Sequence, residues 1–166
     1  MTERRDTDAI AEARRQWNKR WPDAASAMAT ATSIMRAQQI VLKAVDDSLR
    51  PLGLTFARFE ALTLLSFTKT GALPLGKLGK LLMIHPTSVT NIVDRLSDDG
   101  YIERVPHPSD RRTTLARITN EGRSLAKKAA DVVNAIGFGL DALSESEKEA
   151  IVQIVRRLRV STGELS

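Results

Sequence analysis

The sequence predicts a mostly α-helical fold that is interrupted by one short β-hairpin. Apolar residues recur every three or four positions along most of the chain, which is the spacing of one face of an α-helix. Residues 101–118 differ, because β-branched residues cluster there on one side of a turn that contains proline and aspartate. Proline, glycine and capping residues separate the periodic segments, so the chain divides into several helices.

The composition favours a protein with one core and a polyanionic partner. The chain has 166 residues, of which 42% are hydrophobic, enough to bury one core together with a helical extension. Its formal net charge of +5 makes nucleic acid the first candidate partner. The absence of cysteine excludes disulfides, thiolate metal sites and thiol catalysis. No stretch approaches the roughly 20 apolar residues that span a bilayer, and no secretory leader is visible, so we expect a cytoplasmic protein without a membrane partner.

Three helices are predicted in the first part of the chain. A short charged helix over residues 8–20 carries Trp17 and stops at Trp21, which precedes a proline. We expect this extension to pack its tryptophans on the rest of the protein. A long helix follows over residues 23–50. The third helix begins after Thr55, a suitable N-cap, and directs apolar side chains to one side, namely Phe56, Phe59, Leu62 and Leu65.

The pattern after residue 74 predicts a helix-turn-helix. A short helix ends near Leu82, three residues form a turn, and Pro86 suits the first turn of the next helix because an N–H has no intrahelical partner there. His85 is expected to cap that helix. Its apolar stripe, which we expect to be buried, consists of Val89, Ile92, Val93 and Leu96. The second helix of such a motif lies in the major groove of DNA.

The opposite face of this second helix is polar. At about 100° per residue it carries Thr87, Asn91 and Asp94, flanked by Ser88, Thr90 and Arg95. Asn91 can pair with adenine and Asp94 can accept a hydrogen bond from cytosine. The free N–H groups at Thr87 and Ser88 can bind a phosphate. Taken alone, the face is more typical of a solvated amphipathic helix, but its place in a helix-turn-helix favours contact with DNA.

A basic hairpin follows directly. Residues 101–106 and 113–118 predict two strands joined by a turn. Arg111 and Arg112 stand near the tip, and Asp110 is close enough in sequence to pair with Arg112 and orient it. Arginine is favoured in a narrow minor groove because negative potential is concentrated there. The alternative is a pair of solvated turn charges, which the position after a helix-turn-helix makes the less favoured interpretation.

Two further helices complete the predicted order. Thr119 caps a helix over residues 120–136. Ser144 and Glu147 form a capping box, in which each side chain satisfies the other residue's free backbone N–H. The last helix then presents an apolar face made of Ile151, Ile154, Val155 and Leu158. After the N-terminal extension, the order is helix, helix, helix-turn-helix, two-stranded wing, helix, helix.

Several short motifs occur in a characteristic order between residues 84 and 123. They are a Val-Thr-x-x-Val-Asp-Arg-Leu helix at residues 89–96, Gly100 before the strand, Asp110-x-Arg112 in the wing, Leu115, and an Ile118-Thr119-x-x-Gly122 step into the next helix. In this order they resemble the DNA-binding region of MarR-type transcriptional regulators. With the helices on either side, the resemblance covers roughly residues 28–160.

The resemblance implies a winged helix-turn-helix protein that forms a triangular homodimer. Residues 1–22 would be an N-terminal extension, residues 23–54 a dimerisation helix, residues 55–120 the DNA-binding domain and residues 121–166 the C-terminal dimerisation helices. Each DNA-binding domain would meet half of a pseudopalindrome in double-stranded DNA. The groove-facing positions of the family hold Thr87, Ser88, Thr90 and Asn91, and the minor-groove position holds Arg112. Further candidates for phosphate contact are Arg95, Arg111, Lys77 and Lys80.

The resemblance also implies repression that is relieved by a small, often phenolic or anionic, molecule. We expect such an effector pocket near the first two helices and the start of the helix after the wing, at Met35, Phe56, Phe59 and Phe67. Ordinary core packing is the simpler interpretation of the same residues. Glu60 lies near an acidic ligand position of urate-type members, but Phe67 stands where their arginine is expected, so that ligand is not implied. Two further departures are Met83 in place of a turn glycine and Gly79 in place of an alanine.

An enzyme is not predicted, and neither is a cofactor or a metal. His85 and His107 are the only histidines, and neither has an acidic residue at metal-ligand spacing. No glycine-rich phosphate loop and no nucleophile with a base can be identified. Besides a sequence-specific regulator, the same features fit a non-specific architectural DNA-binding protein or an interaction module that has lost DNA binding. Arg112 and the hydroxyl-rich helix argue against the interaction module.

Overall fold

The computed structural model describes residues 8–110 and 112–165. Residues 1–7 of the predicted extension, the wing residue Arg111 and the C-terminal serine lie outside the described residues. The chain forms two compact units, residues 1–43 and residues 44–166, and the boundary between them falls within a helix. No helix of the described residues is both long enough and apolar enough to cross a membrane.

The first unit contains a short charged helix and most of a long one. Helix α1 (Ala9–Arg20) begins at Asp8, whose carboxylate accepts the N–H groups of Ile10 and Ala11 at 3.0 and 3.1 Å. After a 3₁₀ turn, helix α2 (Ala25–Leu49) continues into the second unit. Both helices were predicted. Trp17 and Trp21 contact each other with ring centroids 4.9 Å apart, and they remain 38% and 54% exposed.

Five more α-helices follow among the described residues of the second unit. They are α3 (Phe56–Phe67), α4 (Leu75–Leu82), α5 (Pro86–Asp98), α6 (Asn120–Ala135) and α7 (Glu145–Ser161). All five were predicted at nearly these bounds. The core consists of apolar side chains from the end of α2, from α3, α4, α5 and α6 and from the sheet, and its fully buried members include Leu49, Leu62, Leu65, Leu78, Val89, Val93, Leu96, Ile102 and Val133. This core holds α4 and α5 against α3, and so fixes which face of α5 remains in solvent.

The start of α3 differs from the prediction. Thr55 occupies the N-cap position, but its side chain makes no capping hydrogen bond. The carboxylate of Asp46, near the end of α2, accepts the N–H of Phe56 at 2.7 Å instead. The first turn of α3 is therefore tied to a residue ten positions earlier, a relation that local capping rules do not reveal.

The wing belongs to a three-stranded antiparallel sheet. Strands β2 (Ile102–Pro106) and β3 (Thr114–Ile118) form the predicted hairpin, with Val105 opposite Leu115. A third strand, β1 (Ala72–Pro74), pairs with the other edge of β3 and gives the order β1, β3, β2. This strand was not predicted, because three residues ending in proline carry too little periodicity to identify a strand.

Two glycines allow close approaches that position α5 and α6. A Cβ atom at Gly122 would lie 2.2 Å from the carbonyl oxygen of Tyr101, so α6 can start beside β2 only because residue 122 has no side chain. A Cβ atom at Gly79 would lie 2.8 Å from Cγ2 of Val89. Helices α4 and α5 thus pack more closely here than an alanine would permit.

Candidate nucleic-acid interface

The turn between α4 and α5 is formed around a residue in the left-handed conformation. Met83 has φ 55° and ψ 39°, a region that favours glycine, and its side chain is exposed. Its N–H donates to the carbonyl oxygen of Lys80 at 3.3 Å, and the N–H of Ile84 donates to that of Gly79 at 3.2 Å. Methionine therefore adopts a turn geometry at a position where a helix-turn-helix commonly has glycine.

The first turn of α5 is capped as predicted. Nδ1 of His85 accepts the N–H of Thr87 at 3.3 Å, and the carbonyl oxygen of His85 accepts the N–H of Ser88 at 2.9 Å. These two N–H groups are therefore engaged, whereas the sequence suggested that they would be free for a phosphate. The hydroxyls of Thr87 and Ser88 and the residues that follow are the groups left for contact with DNA.

The polar face of α5 is open to solvent. The predicted contact residues Thr87, Ser88, Thr90, Asn91 and Arg95 are all exposed. On the opposite side, Val89, Val93 and Leu96 are buried, while Ile92 is half-buried. The exposed N-terminal half of the helix thus carries hydroxyl and amide groups with no carboxylate among them.

Asp94 links the polar face of α5 to the wing. Its Oδ1 lies 2.5 Å from Nη2 of Arg104 on β2. The sequence suggested that Asp94 could accept a hydrogen bond from cytosine; in the structure the ion pair engages one of its two carboxylate oxygens, and the side chain is 52% exposed. The pair neutralises the acid next to the polar face and joins α5 to the first strand of the wing.

The wing turn is held by Asp110. Its two carboxylate oxygens accept the N–H of Arg112 at 3.0 Å and the hydroxyl of Thr113 at 2.7 Å. The Thr113 hydroxyl bond and the Arg112 backbone bond lower the pKa of Asp110 below its ordinary value. Nε of Arg112 is 3.8 Å from Asp110, and the Arg112 side chain is 96% exposed. The backbone of Arg112 is therefore held in place while its guanidinium remains available. Arg111 lies outside the described residues.

A polar cleft adjoins α5. It has a volume of about 290 Å³ and is lined by Thr55 and Arg58 of the α3 start and by Asn91, Ile92 and Arg95 of α5. Arg58 was not singled out from the sequence, because only the packing of α3 against α5 brings it beside Arg95. Two guanidinium groups line this cleft, and no acid is among the lining residues. The other predicted phosphate contacts, Lys77 and Lys80, are exposed on α4.

A second cavity, called here the α3–α6 cavity, contains most of the predicted effector residues. Its volume is about 400 Å³, and Phe56, Phe59 and Phe67 line it together with residues of α4, α6 and the turn after α6. Met35 is not among the lining residues; it lies on α2 in the first unit and is exposed. Glu60 also lines the cavity, and burial raises the pKa of its carboxyl group. No group of three or more potential metal ligands occurs among residues 8–110 and 112–165.

Comparison with known proteins gives consistent results. Residues 54–114 match the model of the MarR family. A Bacillus subtilis protein named uncharacterized HTH-type transcriptional regulator YhbI is 30% identical over 137 residues, which are 82% of this chain and 84% of its own. The solved structure of Sco5413, a MarR family transcriptional regulator from Streptomyces coelicolor, superposes with a TM-score of 0.78 at 49% identity and covers 85% of this chain and 98% of its own.

The fold also matches a structure that was solved with DNA. A mutant of MarR from E. coli, complexed with operator DNA, superposes with a TM-score of 0.71 at 21% identity and covers 86% of this chain and 96% of its own. At that identity the likeness concerns the fold alone. The B. subtilis relative and the S. coelicolor structure are similar along most of their own lengths. The protein therefore belongs to the MarR family of transcriptional regulators and has a winged helix-turn-helix.

Proposed function

We propose that the protein is a sequence-specific repressor that binds a pseudopalindromic operator as a homodimer. The observation that carries this proposal is the exposed N-terminal half of α5, where Thr87, Ser88, Thr90 and Asn91 are all in solvent. Short hydroxyls and an amide can bond base edges in the major groove, and none of these groups would repel a phosphate. The ion pair between Asp94 and Arg104 offsets the charge of the nearest carboxylate and so reduces its repulsion of DNA phosphates.

In this proposal the wing and the polar cleft contact the groove next to the recognition helix and the sugar-phosphate backbone. Arg112 enters the minor groove, because its side chain is free while its backbone is held by Asp110. Arg95 and Arg58 bind one backbone phosphate in the polar cleft, since an anion there offsets the repulsion between two neighbouring guanidinium groups. Arg111, Lys77 and Lys80 are further phosphate contacts.

Exposed apolar side chains support the dimer. Helix α7 presents an apolar face that stays in solvent in the single chain, formed by Ile151, Ile154, Val155 and Leu158. Helix α2 separately exposes Ile34, Met35, Ile40 and Leu42. Large apolar surfaces of this kind mark interaction sites. A second copy of the chain buries the α7 face by self-complementary packing, as expected of a twofold dimer.

We further propose that a small molecule bound in the α3–α6 cavity releases the protein from its operator. Leu81, at the end of α4, contributes to the cavity wall beside residues of α3 and α6. A ligand that binds the cavity more tightly when α4 is in one position shifts the helix-turn-helix toward that position. Because α4 packs directly on α5, such a shift alters the recognition helix.

The decisive experiment for DNA recognition is selection of genomic fragments with the purified protein at a stated salt concentration. The proposal predicts strong enrichment of a small set of fragments that share a pseudopalindrome with half-sites about one helical turn apart. Fragments recovered in proportion to their abundance would indicate an architectural DNA-binding protein. The absence of any retained DNA would indicate an interaction module and would also contradict the proposal.

A further inference from the structure

The α3–α6 cavity is lined by a few polar residues among aromatic and aliphatic ones. Glu60, Thr63 and Phe67 lie three and four residues apart on α3, so they share one face of that helix. Asn134 of α6 faces the same cavity, and Phe138 in the turn after α6 adds a further aromatic ring. The walls can therefore enclose an apolar body while a few polar groups fix its orientation, as in ligand sites generally.

The polar groups of this cavity have no partners within the described part of the chain. The hydroxyl oxygen of Thr63 is buried and accepts or donates no hydrogen bond there. The carboxylate of Glu60 and the side-chain amide of Asn134 likewise form no hydrogen bond or ion pair with residues 8–110 and 112–165. Burial raises the pKa of Glu60, because the ionised carboxylate loses solvation without gaining a counter-charge.

The residues that line the cavity carry negative charge only. Glu60 is the one ionisable side chain among the ten residues that line it, and no lysine, arginine or histidine is included. An anionic ligand would lose its hydration and face a carboxylate without a compensating cation. A ligand that carries an ammonium or another N–H donor would instead satisfy Glu60 and could also reach the amide oxygen of Asn134.

We infer that the α3–α6 cavity binds an amphipathic organic cation, with its ammonium group at Glu60 and its apolar body among the phenylalanine rings. This inference rests on the proposed function only for the consequence of binding, which is release of DNA. It differs from the phenolic or anionic effectors that the family resemblance implies. The aromatic walls add to the preference, because a cation is attracted to the faces of Phe rings such as those of Phe56 and Phe59.

The test uses three probes with the same ring system and different charge. They are 1-naphthylmethylamine, which is a cation at neutral pH, 1-naphthalenemethanol, which is neutral, and 1-naphthoate, which is an anion. Each is titrated into the full-length protein by calorimetry without DNA. We expect the amine to bind about tenfold or more tightly than the naphthoate, which is the size of effect that a hydrogen bond to a charged group produces.

Two variants locate the origin of the preference. Glu60→Gln keeps the shape of the side chain and removes its charge, so the preference for the amine over the naphthoate is expected to disappear. Asp131→Asn removes a carboxylate that is exposed on α6 and does not line the cavity, so it should leave the preference unchanged. Circular dichroism on both variants verifies that the fold is retained.

Three results would overturn the inference: no binding of the amine, naphthoate binding as tight as amine binding, or an undiminished preference in Glu60→Gln. A parallel titration of the protein bound to its selected operator measures release. If the amine binds through Glu60 but leaves the operator bound, the cavity assignment stands and the proposed release fails. If the protein selects no operator, the calorimetric result on the cavity is unaffected.

Discussion

Arg112 is held at its backbone while its side chain remains free. The Asp110 carboxylate accepts its N–H at 3.0 Å, and the Thr113 hydroxyl holds the other carboxylate oxygen. A turn fixed in this way directs the guanidinium without occupying it, since Nε is 3.8 Å from the acid and the side chain is almost fully exposed. The sequence indicated both the Asp110–Arg112 relation and the exposed tip of the wing.

Replacement of Arg112 by alanine is expected to weaken operator binding by about 1–3 kcal/mol per subunit, because a minor-groove arginine is lost. Competition binding at constant salt measures the effect. Lys128→Ala is the control, since Lys128 is an exposed cation on α6, away from the wing and the polar cleft. Equal affinity of Arg112→Ala and the wild-type protein would show that the wing does not contact DNA.

Arg58 was not identified from the sequence as a candidate phosphate contact. It lies near the start of α3, 37 positions before Arg95 in the chain, and the two become neighbours only through the polar cleft. Its Nη1 also donates to the carbonyl oxygen of Gly53 at 3.4 Å, which orients it at the helix start. No local pattern in the sequence distinguishes such an arginine from a solvated one.

The substitution Arg58→Gln is predicted to weaken binding of all DNA sequences equally. Each phosphate contact that is lost should reduce the slope of log affinity against log salt by about 0.9. The ratio of operator to non-specific affinity should remain constant, whereas Asn91→Ala should change that ratio. Titrations at several salt concentrations with Lys128→Gln as the matched control measure both quantities. An unchanged slope would show that Arg58 does not contact a phosphate, but it would not contradict sequence-specific binding by α5.

At the scale of secondary-structure elements, the position of α5 depends on its packing against α4. The periodicity of apolar residues predicted the α-helices α3 to α7 and both strands of the wing, because long amphipathic segments have strong local signals. It did not predict β1 or the Asp46 cap of α3, which arise from pairing and contacts between distant residues. Gly79 shows the same limit, since only the structure reveals that Val89 lies against it.

Two glycines of α4 provide a matched pair of substitutions. Gly79→Ala should destabilise the protein by about 1–3 kcal/mol, because the new methyl group would lie 2.8 Å from Val89 and force α4 and α5 apart. Gly76→Ala meets no atom within 4 Å and should stabilise the helix by up to about 0.5–1 kcal/mol. Urea unfolding measures both changes. Destabilisation of similar size in both variants would contradict the packing explanation.

For the whole molecule, the exposed apolar face of α7 is the feature that a single chain leaves unexplained. Leu158 is 50% exposed and lies one turn from Ile154 and Val155 on the same face. The sequence marked these residues as an apolar stripe, but it could not distinguish burial within the chain from burial in a dimer. In the single chain the stripe stays in solvent, which agrees with the proposed burial in a dimer.

Leu158→Arg should therefore convert the proposed homodimer to a monomer, since a charge on this apolar face cannot be buried without a partner. Sedimentation velocity measures the assembly, and circular dichroism verifies that the helices remain. Operator affinity should fall by about a hundredfold or more, because the two DNA-binding domains no longer bind the two half-sites as one unit. A variant that remains dimeric would show that α7 is not the interface.

The central claim is that two copies of α5 and the wing bind DNA from one side. Hydroxyl-radical footprinting of the homodimer on its selected operator tests this most directly. We expect two protected patches on one face of the duplex, about one helical turn apart, with flanking minor-groove protection that disappears in Arg112→Ala. A single patch, or uniform protection along the fragment, would contradict it.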